Sequence, residues 1–589
     1  MAIFGRNQKQ TSPLPSPRWL VSLGGGGSGS WHPHPFPPEI QYCKPPTWLE
    51  QLDIQSTWCR ENVGIHRVDA DCWAMSPSRR YLLVGDVWLS NRQELLAALQ
   101  IEADCTDIEL LARLWEKWQI HTPTQLQGMF GLVVCDIEAE QISIVRDPVG
   151  ARTVYYTLGQ TWWIAPQLSS LNPYRSNQLD PIALRDYLTC SFVPGERTMW
   201  QDVREIRPGT ILKLPTQIVT YWQLQEQVVA QESLEWHGDR LRSELQLVMR
   251  EYLPANQPVG VFLSGGLDSS CITALAARLH DAPIHTYSIH FGSECANELE
   301  FSSLVANHCH TNHHILEITF QDMWDKLSET MANLDDPIGD PLTVPNLLIG
   351  RLASNDVSIT LNGEGGDPCF GGPKNQPMLI DSLYNSETNH NPLQAYLTSF
   401  QKCAADLPQL LKPEILQQIQ QPWIFEADLN SEMSFLNRLM ALNIKFKGAD
   451  QILTKVNNLT HAAGLQGRSP LFDRRIVELS MTIPPEYKLS GVTEKAVLKQ
   501  AVSDLLPAAI IARPKSGMMV PVQLGFRKYW QRQAAKMLLS RRALIARYIN
   551  QNIIKEWLSF RGDVWGRYGV KLWLLVSLEM WLQVNYNRK

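Results

Sequence analysis

The stretch Val259-Gly260-Val261-Phe262-Leu263-Ser264-Gly265-Gly266-Leu267-Asp268-Ser269-Ser270 leaves this chain few folds to choose from. An apolar run of strand type ends in Ser-Gly-Gly, and helical spacing follows at once through Ile272, Leu275, Ala276 and Leu279. The string predicts a strand, a glycine turn and a helix N-terminus. Gly265 and Gly266 let backbone approach an anion closely, and Ser264, Ser269 and Ser270 add hydroxyl donors. The N–H groups that open a helix then favour negative charge. These residues are therefore candidate phosphate ligands. Asp268 is the odd member, because a carboxylate repels phosphate unless a cation lies between them. Mg²⁺, which takes one or two carboxylates plus phosphate oxygens, is the expected cation.

An ordinary β–α turn would account for Gly-Gly but not for the whole string. No Gly-Lys-Ser/Thr follows, so this is not a Walker loop. SGGLDSS resembles the pyrophosphate loop of enzymes that cleave ATP between the α and β phosphates and leave an adenylate. That resemblance implies ATP.

Composition narrows the setting. At 589 residues and 44% apolar content the chain is long enough for roughly two to four cored domains. A net charge of −6 carries no basic footprint, so nucleic acid is not an expected partner. Eleven cysteines without a Cys-x-x-Cys spacing read as reduced thiols of a cytoplasmic protein, with neither a zinc site nor a disulfide framework. The N-terminus is polar and proline-rich with no apolar core of a signal peptide. Val570 to Val584 is apolar but interrupted by Lys571, Glu579 and Gln583, and falls short of about 18–20 clean residues. A buried helix is expected there, and no membrane.

Residues 1–45 read as a flexible leader: Pro13, Pro15 and Pro17, then GGGGSGS, then WHPHPFPP. His32 and His34 in that run read as solvated. Residues 46–225 are strand-rich. Tyr81 to Gly85 reads as a strand, Arg92 to Leu99 and Asp107 to Trp118 as helices, and Gly128 to Ile137 with Gln141 to Arg146 as a β pair.

RDPVGARTVYY (Arg146 to Tyr156) and Leu126-Gln127-Gly128-Met129-Phe130 resemble segments of the glutaminase domain in class II glutamine amidotransferases of asparagine synthetase type. LDPIALRDYLTCSFVP (Leu179 to Pro194), Arg207-Pro208-Gly209 and Tyr221-Trp222 resemble that family's connection into its synthetase half. The resemblance covers all but the leader and implies an α+β, Ntn-hydrolase-like sandwich domain over 46–225. The chain departs where glutaminase chemistry belongs. The family's nucleophile is a cysteine made N-terminal by loss of the initiator methionine, whereas this chain reads Met1-Ala2-Ile3-Phe4-Gly5 and its next cysteine is Cys43. The family's oxyanion Asn-Gly is replaced by Val84-Gly85-Asp86. Asp104 or Asp107 stands near the place of a glutamine-binding aspartate. The expectation is a glutaminase fold inactive on glutamine; processing that exposes Cys43 or Cys59 is the competing reading.

From about 235 to 589, alternating helices and apolar strands predict a doubly wound parallel sheet. Leu234 to Leu253 is a long amphipathic helix. Ile284 to Phe291 is the next strand, whose end contacts adenine by backbone in the family, which would place Ser288 and Ile289 there. Glu298 to Cys309 is helical. His313-His314 resembles the family's T-x-H-H; neighbours on a strand point to opposite sides, so structural histidines are favoured over a metal pair. Leu334 to Pro341 resembles the family's DxP loop.

A second chemical centre is Ser358 to Gly372, SITLNGEGGDPCFGG. A short strand, Ile359 to Leu361, ends in a glycine-rich turn with Glu364 and Asp367. Ligands bind at strand-end loops in such sheets, so this loop should face Ser264 to Ser270. Gly363 then allows close approach to the nucleotide, Asp268 and Asp367 share Mg²⁺, and Glu364 serves as base toward an amine. Gly467 to Asp473 and Glu494 to Met518 also resemble family segments. In that pattern Lys515 lies against the α-phosphate, where adenylation concentrates charge that a cation must offset, and Arg513 is either a second cation or a surface residue. Pro368-Cys369 replaces the family's acidic continuation, which separates the intact ATP half from an altered acceptor side.

The reading is an ATP-dependent amide-forming ligase of asparagine synthetase type. It adenylates a small-molecule or peptide carboxylate, aspartate being the family default, and passes it to ammonia or an amine. The assembly it allows is a homodimer. Lasso-peptide cyclases and β-lactam synthetases, relatives that lack the glutaminase cysteine, supply the alternative within the same chemistry. An inactive nucleotide-binding assembly subunit is the alternative of another class.

Overall fold

In a computed structural model of the chain, the described residues are 18–24, 63–102, 104–159, 161–372, 392–490, 493–514, 519–563 and 566–586. The N-terminal part is built from β1 (Trp19–Gly24), β2 (Val63–Val68), β3 (Trp73–Met75), β4 (Tyr81–Leu89), β5 (Gly128–Asp136), β6 (Gln141–Arg146), β7 (Tyr155–Thr157), β8 (Thr161–Ala165), β9 (Val203–Glu205), β10 (Thr210–Lys213) and β11 (Gln217–Thr220). They form two antiparallel sheets, ordered β2-β1-β8-β7-β9 and β11-β10-β6-β5-β4-β3. Alternation along β5 explains the layering. Val133 and Cys135 face Trp19, Val21 and Leu23 of the other sheet, while Phe130, Leu132 and Val134 face outward. The helices Arg92–Leu99 and Asp107–Trp118 cover that outer side, the second opened by a Thr106/Glu109 capping box. The expected sandwich is present.

One expectation fails. Trp19–Gly24 lies inside the supposed leader, yet it is an inner strand of the first sheet, with Trp19, Leu20, Val21, Ser22 and Leu23 all buried. A strand covered on both faces shows no alternation, and six residues between a proline run and a glycine run carried no other signal. His32, His34, Cys43 and Cys59 lie outside the described residues.

The C-terminal part holds β12 (Val259–Phe262), β13 (Ile284–His290), β14 (Asn312–Glu317), β15 (Ile359–Leu361) and β16 (Gln466–Arg468). All pairings are parallel, in the order β14-β13-β12-β15-β16. From β12 the chain winds outward through β13 and β14, then returns to β12's other side as β15. The winding direction thus reverses between β12 and β15, which sets the turns after these two strands side by side at the carboxyl edge of the sheet, where ligands bind in such folds. The helices Leu234–Tyr252 and Leu267–Leu279 pack one face of the sheet, and Thr343–Ala353 with the C-terminal helix Tyr568–Asn585 belongs to the core on the other.

The charges that interrupt the C-terminal apolar run are satisfied inside the protein. Lys571 pairs with Asp406 at 2.7 Å and Asp563 at 2.8 Å, and Glu579 accepts from the Leu544 and Ile545 amides. Among the described residues no helix is long and apolar enough to cross a membrane.

Candidate active site

The β12 turn has the geometry its residues demand. Gly265 adopts φ +77°, and a Cβ there would lie 2.6 Å from the Ser302 amide nitrogen, so only glycine fits against the helix Leu299–His308. Gly266 caps the helix Leu267–Leu279 without a side-chain bond, which leaves that N-terminus for a ligand. The Ser264 and Ser269 hydroxyls stand 3.1 Å apart, and the Ser264 amide donates to Ser269 Oγ at 3.2 Å. Ser270 is fully buried, and its amide donates to the Gly266 carbonyl at 3.0 Å. Ser288 closes the other flank, its hydroxyl donating to the Leu263 carbonyl at 2.5 Å, with Ile289 next at the strand end.

The β15 turn packs directly on the first. A Cβ on Gly363 would come within 2.5 Å of the Ser269 amide nitrogen, and one on Gly366 within 2.2 Å of the Asp268 carboxylate carbon. Glycine at both positions lets the two turns touch. Glu364 donates its amide to Asn362 Oδ1 at 3.0 Å, and Asn362 is itself tied to the Arg468 carbonyl. The charge of Glu364 reaches Lys455, a buried lysine bonded to Asp340 at 3.0 Å. Burial works against the Lys455 charge, and Asp340 and Glu364 together hold its pKa above the usual value.

Between the turns stands a residue to which the sequence reading assigned no role. The buried Lys495 ammonium lies 2.7 and 2.6 Å from the two oxygens of Asp268 and 2.6 Å from Asp367 Oδ1. Lys495 caps the short helix Ala496–Val502 in the left-handed region (φ 53°, ψ 39°), a backbone state that costs a non-glycine residue about 1–3 kcal/mol. Its amide is held by the Lys488 carbonyl at 2.6 Å. The one available signal was the Lys-x-x-Leu spacing of Lys495 and Leu498, which names no chemistry by itself.

Asp268 and Asp367 thus meet across the Lys495 ammonium, where Mg²⁺ was the expected cation. Their fit to Mg²⁺ rests on the donor set: carboxylate oxygens only, on two apposed turns, with the Asp367 side chain 35% exposed. Arg513 is not a surface residue. It donates to the Gly265 carbonyl at 3.0 Å, stacks on Phe301 at 3.9 Å and pairs with Glu298, so its charge is already matched. Lys515 lies outside the described residues.

In the N-terminal domain the Val84-Gly85-Asp86 positions, which depart from the family's Asn-Gly, split between the core and a half-exposed ion-pair cluster. Val84 is buried in the sandwich core. Arg18 bonds Asp86 at 2.7 Å and also pairs with Asp71, and Trp19 Nε1 reaches Asp86 at 3.3 Å. Cys72 sits 3.7 Å from Asp86, and burial, then the Asp86 charge, push its thiol far above the ordinary range. Asp107 bonds Arg92 and the Leu89 amide, while Asp104 is exposed.

Comparison with known proteins adds the following. A family model described as asparagine synthase matches residues 240–583, and one described as glutamine amidotransferase domain matches residues 74–224. The glutamine-hydrolyzing asparagine synthetase 1 of Bacillus subtilis is 22% identical over 550 residues, 85% of this chain and 84% of the relative. Asparagine synthetase 3 of the same organism is 26% identical over 465 residues, 74% and 75% of the two chains. Asparagine synthetase 1 of Saccharomyces cerevisiae is 24% identical over 506 residues, 77% and 74% of the two.

Proposed function

The chain belongs to the asparagine synthase family of ATP-dependent carbon–nitrogen ligases, and from that premise we propose that it adenylates a carboxylate and passes it to free ammonia or an amine rather than to ammonia drawn from glutamine. The observation that carries this reading is the Lys495 ammonium between Asp268 and Asp367 at the meeting of two glycine turns.

A carboxylate oxygen of the substrate attacks the α-phosphorus of ATP, the α–β phosphoanhydride bond breaks, and pyrophosphate leaves. The Ser264–Ser269 turn and the helix N-terminus behind it hold the phosphates, while Ser288 and Ile289 border the adenine side. Lys495 offsets the charge that gathers on the phosphoryl oxygens, with Lys515 as a second cation. Mg²⁺, held by Asp268 and Asp367, supplies further charge neutralisation on the phosphates when bound. In the second half-reaction the amine nitrogen attacks the acyl carbon, AMP departs, and Glu364 takes the proton the amine sheds.

Two features support an amine source other than glutamine: the Arg18–Asp86 pair at the position of the family's oxyanion segment, and the Cys72 thiol beside it, which burial and the Asp86 charge push up. The altered Pro368-Cys369 continuation keeps a substrate other than aspartate in view, including a peptide or amino-acyl substrate that closes an internal amide. The test is pyrophosphate release from ATP with candidate carboxylates, with and without ammonia, amines or glutamine. Release that depends on a carboxylate is expected, with amide product from ammonia or an amine. ATP binding without release under any condition would reduce the chain to a nucleotide-binding subunit.

A further inference from the structure

Away from the two turns, the same sheet carries a second cluster of ligand-type side chains. Alternation puts His285 and Tyr287 on one face of β13, and the parallel register sets His314 of β14 opposite Tyr287. His313 turns to the other face, where its Nδ1 lies 2.9 Å from Thr286 Oγ1. On the first face, His285 Nδ1 stands 3.2 Å from His314 Nε2. The same His314 nitrogen is 3.8 Å from Asp356 Oδ2. Asp356 comes from the turn that closes the helix Thr343–Ala353, its amide bonded to the Ala353 carbonyl at 3.0 Å. Three separate segments thus bring one ligand atom each to within 4.8 Å of one another.

We infer that His285, His314 and Asp356 form a binding site for a divalent transition-metal ion of the zinc class. Bonds of about 2.0–2.1 Å at a tetrahedral angle separate two donor atoms by roughly 3.3 Å, close to the His285–His314 spacing. The two rings are nearly parallel, 13° apart, with those nitrogens turned toward each other. As neutral imidazoles they can share only one proton, whereas an ion accepts a lone pair from each. Two imidazoles and one carboxylate suit a borderline ion rather than Mg²⁺ or Ca²⁺. The Tyr287 hydroxyl donates to the same Asp356 Oδ2 at 3.0 Å and so fixes the position of that carboxylate oxygen. The His314 and Asp356 side chains are 34% and 32% exposed, which leaves water access to a fourth position. The ion ties the edge strand β14 to β13 and to the turn that feeds β15. It therefore braces the strands whose far ends carry Ser288, Ile289 and Glu364.

The full-length protein is titrated with Co²⁺ alone, read by visible absorption, and then with Zn²⁺ as competitor. Wild type and H313A should give the same low-symmetry Co²⁺ band, displaced by Zn²⁺. H285Q, H314Q and D356N should bind at least ~100-fold more weakly or lose the band. His32 and His34 are common to all variants and cancel in the comparison. Circular dichroism identifies any variant that fails to fold. For that case, diethyl pyrocarbonate labelling of wild type should show Zn²⁺ protecting His285 and His314 and leaving His280 reactive. An unchanged band in H285Q and H314Q, no band in wild type, or no selective protection would overturn the site.

Discussion

The ammonium of Lys495 stands 2.6 Å from Oδ2 of Asp268, although 227 residues separate them along the chain. With Asp367 on its other side, Lys495 gathers the β12 turn, the β15 turn and a distant helix cap into one cluster. Removal of the lysine would leave two carboxylates facing each other at the proposed phosphate site. K495A should lower pyrophosphate release by ~10²–10³-fold with the fold retained. K495R should recover little, because a guanidinium cannot take the place of a compact ammonium. Wild-type turnover in K495A would remove Lys495 from the reaction.

Gly363 has no space for a methyl group, with the Ser269 amide nitrogen 2.5 Å from its would-be Cβ. G363A must push the two turns apart. Thermal unfolding should show a loss of about 1–3 kcal/mol. Pyrophosphate release, assayed well below the transition, should drop far more than the folded fraction does. Activity that falls only with the folded fraction would mean that the contact is structural alone.

Glu364 separates the two half-reactions if it acts on the amine. In E364Q, carboxylate-dependent exchange of pyrophosphate into ATP should survive. Amide formation should fall by ~10²–10⁴-fold. Equal loss in both assays would place Glu364 in activation instead.

With Asp86 bound by Arg18 and the neighbouring Cys72 thiol pushed up by burial, glutamine should yield no glutamate. Ammonia or an amine should support amide formation at the same carboxylate concentration. R18A should not create glutaminase activity, since it supplies no nucleophile. Glutamate release that keeps pace with amide formation would sink the proposal.

Lys488 sets a pH dependence. It is buried against Asn437, 2.6 Å from its Oδ1, and burial pushes the amine down from 10.5 to about 7. Between those values the unfolded chain holds a proton that the folded chain has released, so stability rises with pH across this window. The slope is at most ~1.4 kcal/mol per pH unit, and the contribution is lost as pH falls through about 7. Denaturant unfolding of wild type and K488M from pH 7 to 10 should show a slope in wild type that K488M lacks. Parallel curves would place the titration elsewhere.

Much of the fold was legible because local rules agree with tertiary ones here. The helix Asp107–Trp118 carries its own apolar period and capping box, the helix Leu267–Leu279 follows at once on a Gly-Gly turn, and the Ile359–Leu361 strand is an apolar run ended by glycines. β1 was not legible: burial on both faces removes alternation, and its flanks carry leader composition. His314 was read beside His313 as a neighbour in sequence, whereas its spatial partner is His285 on the next strand.

The SGGLDSS string alone determined that a strand must end in a glycine turn that opens a helix and carries a carboxylate, since glycine spacing and the helix start are local properties. Tertiary structure decided what stands opposite Asp268. The order β14-β13-β12-β15-β16 brings Asp367 to the adjacent strand end, and the Lys495 cap delivers the ammonium between them. The facing of the two acidic turns followed from the strand-end rule, whereas the ammonium between them depends on distances that the chain acquires only on folding.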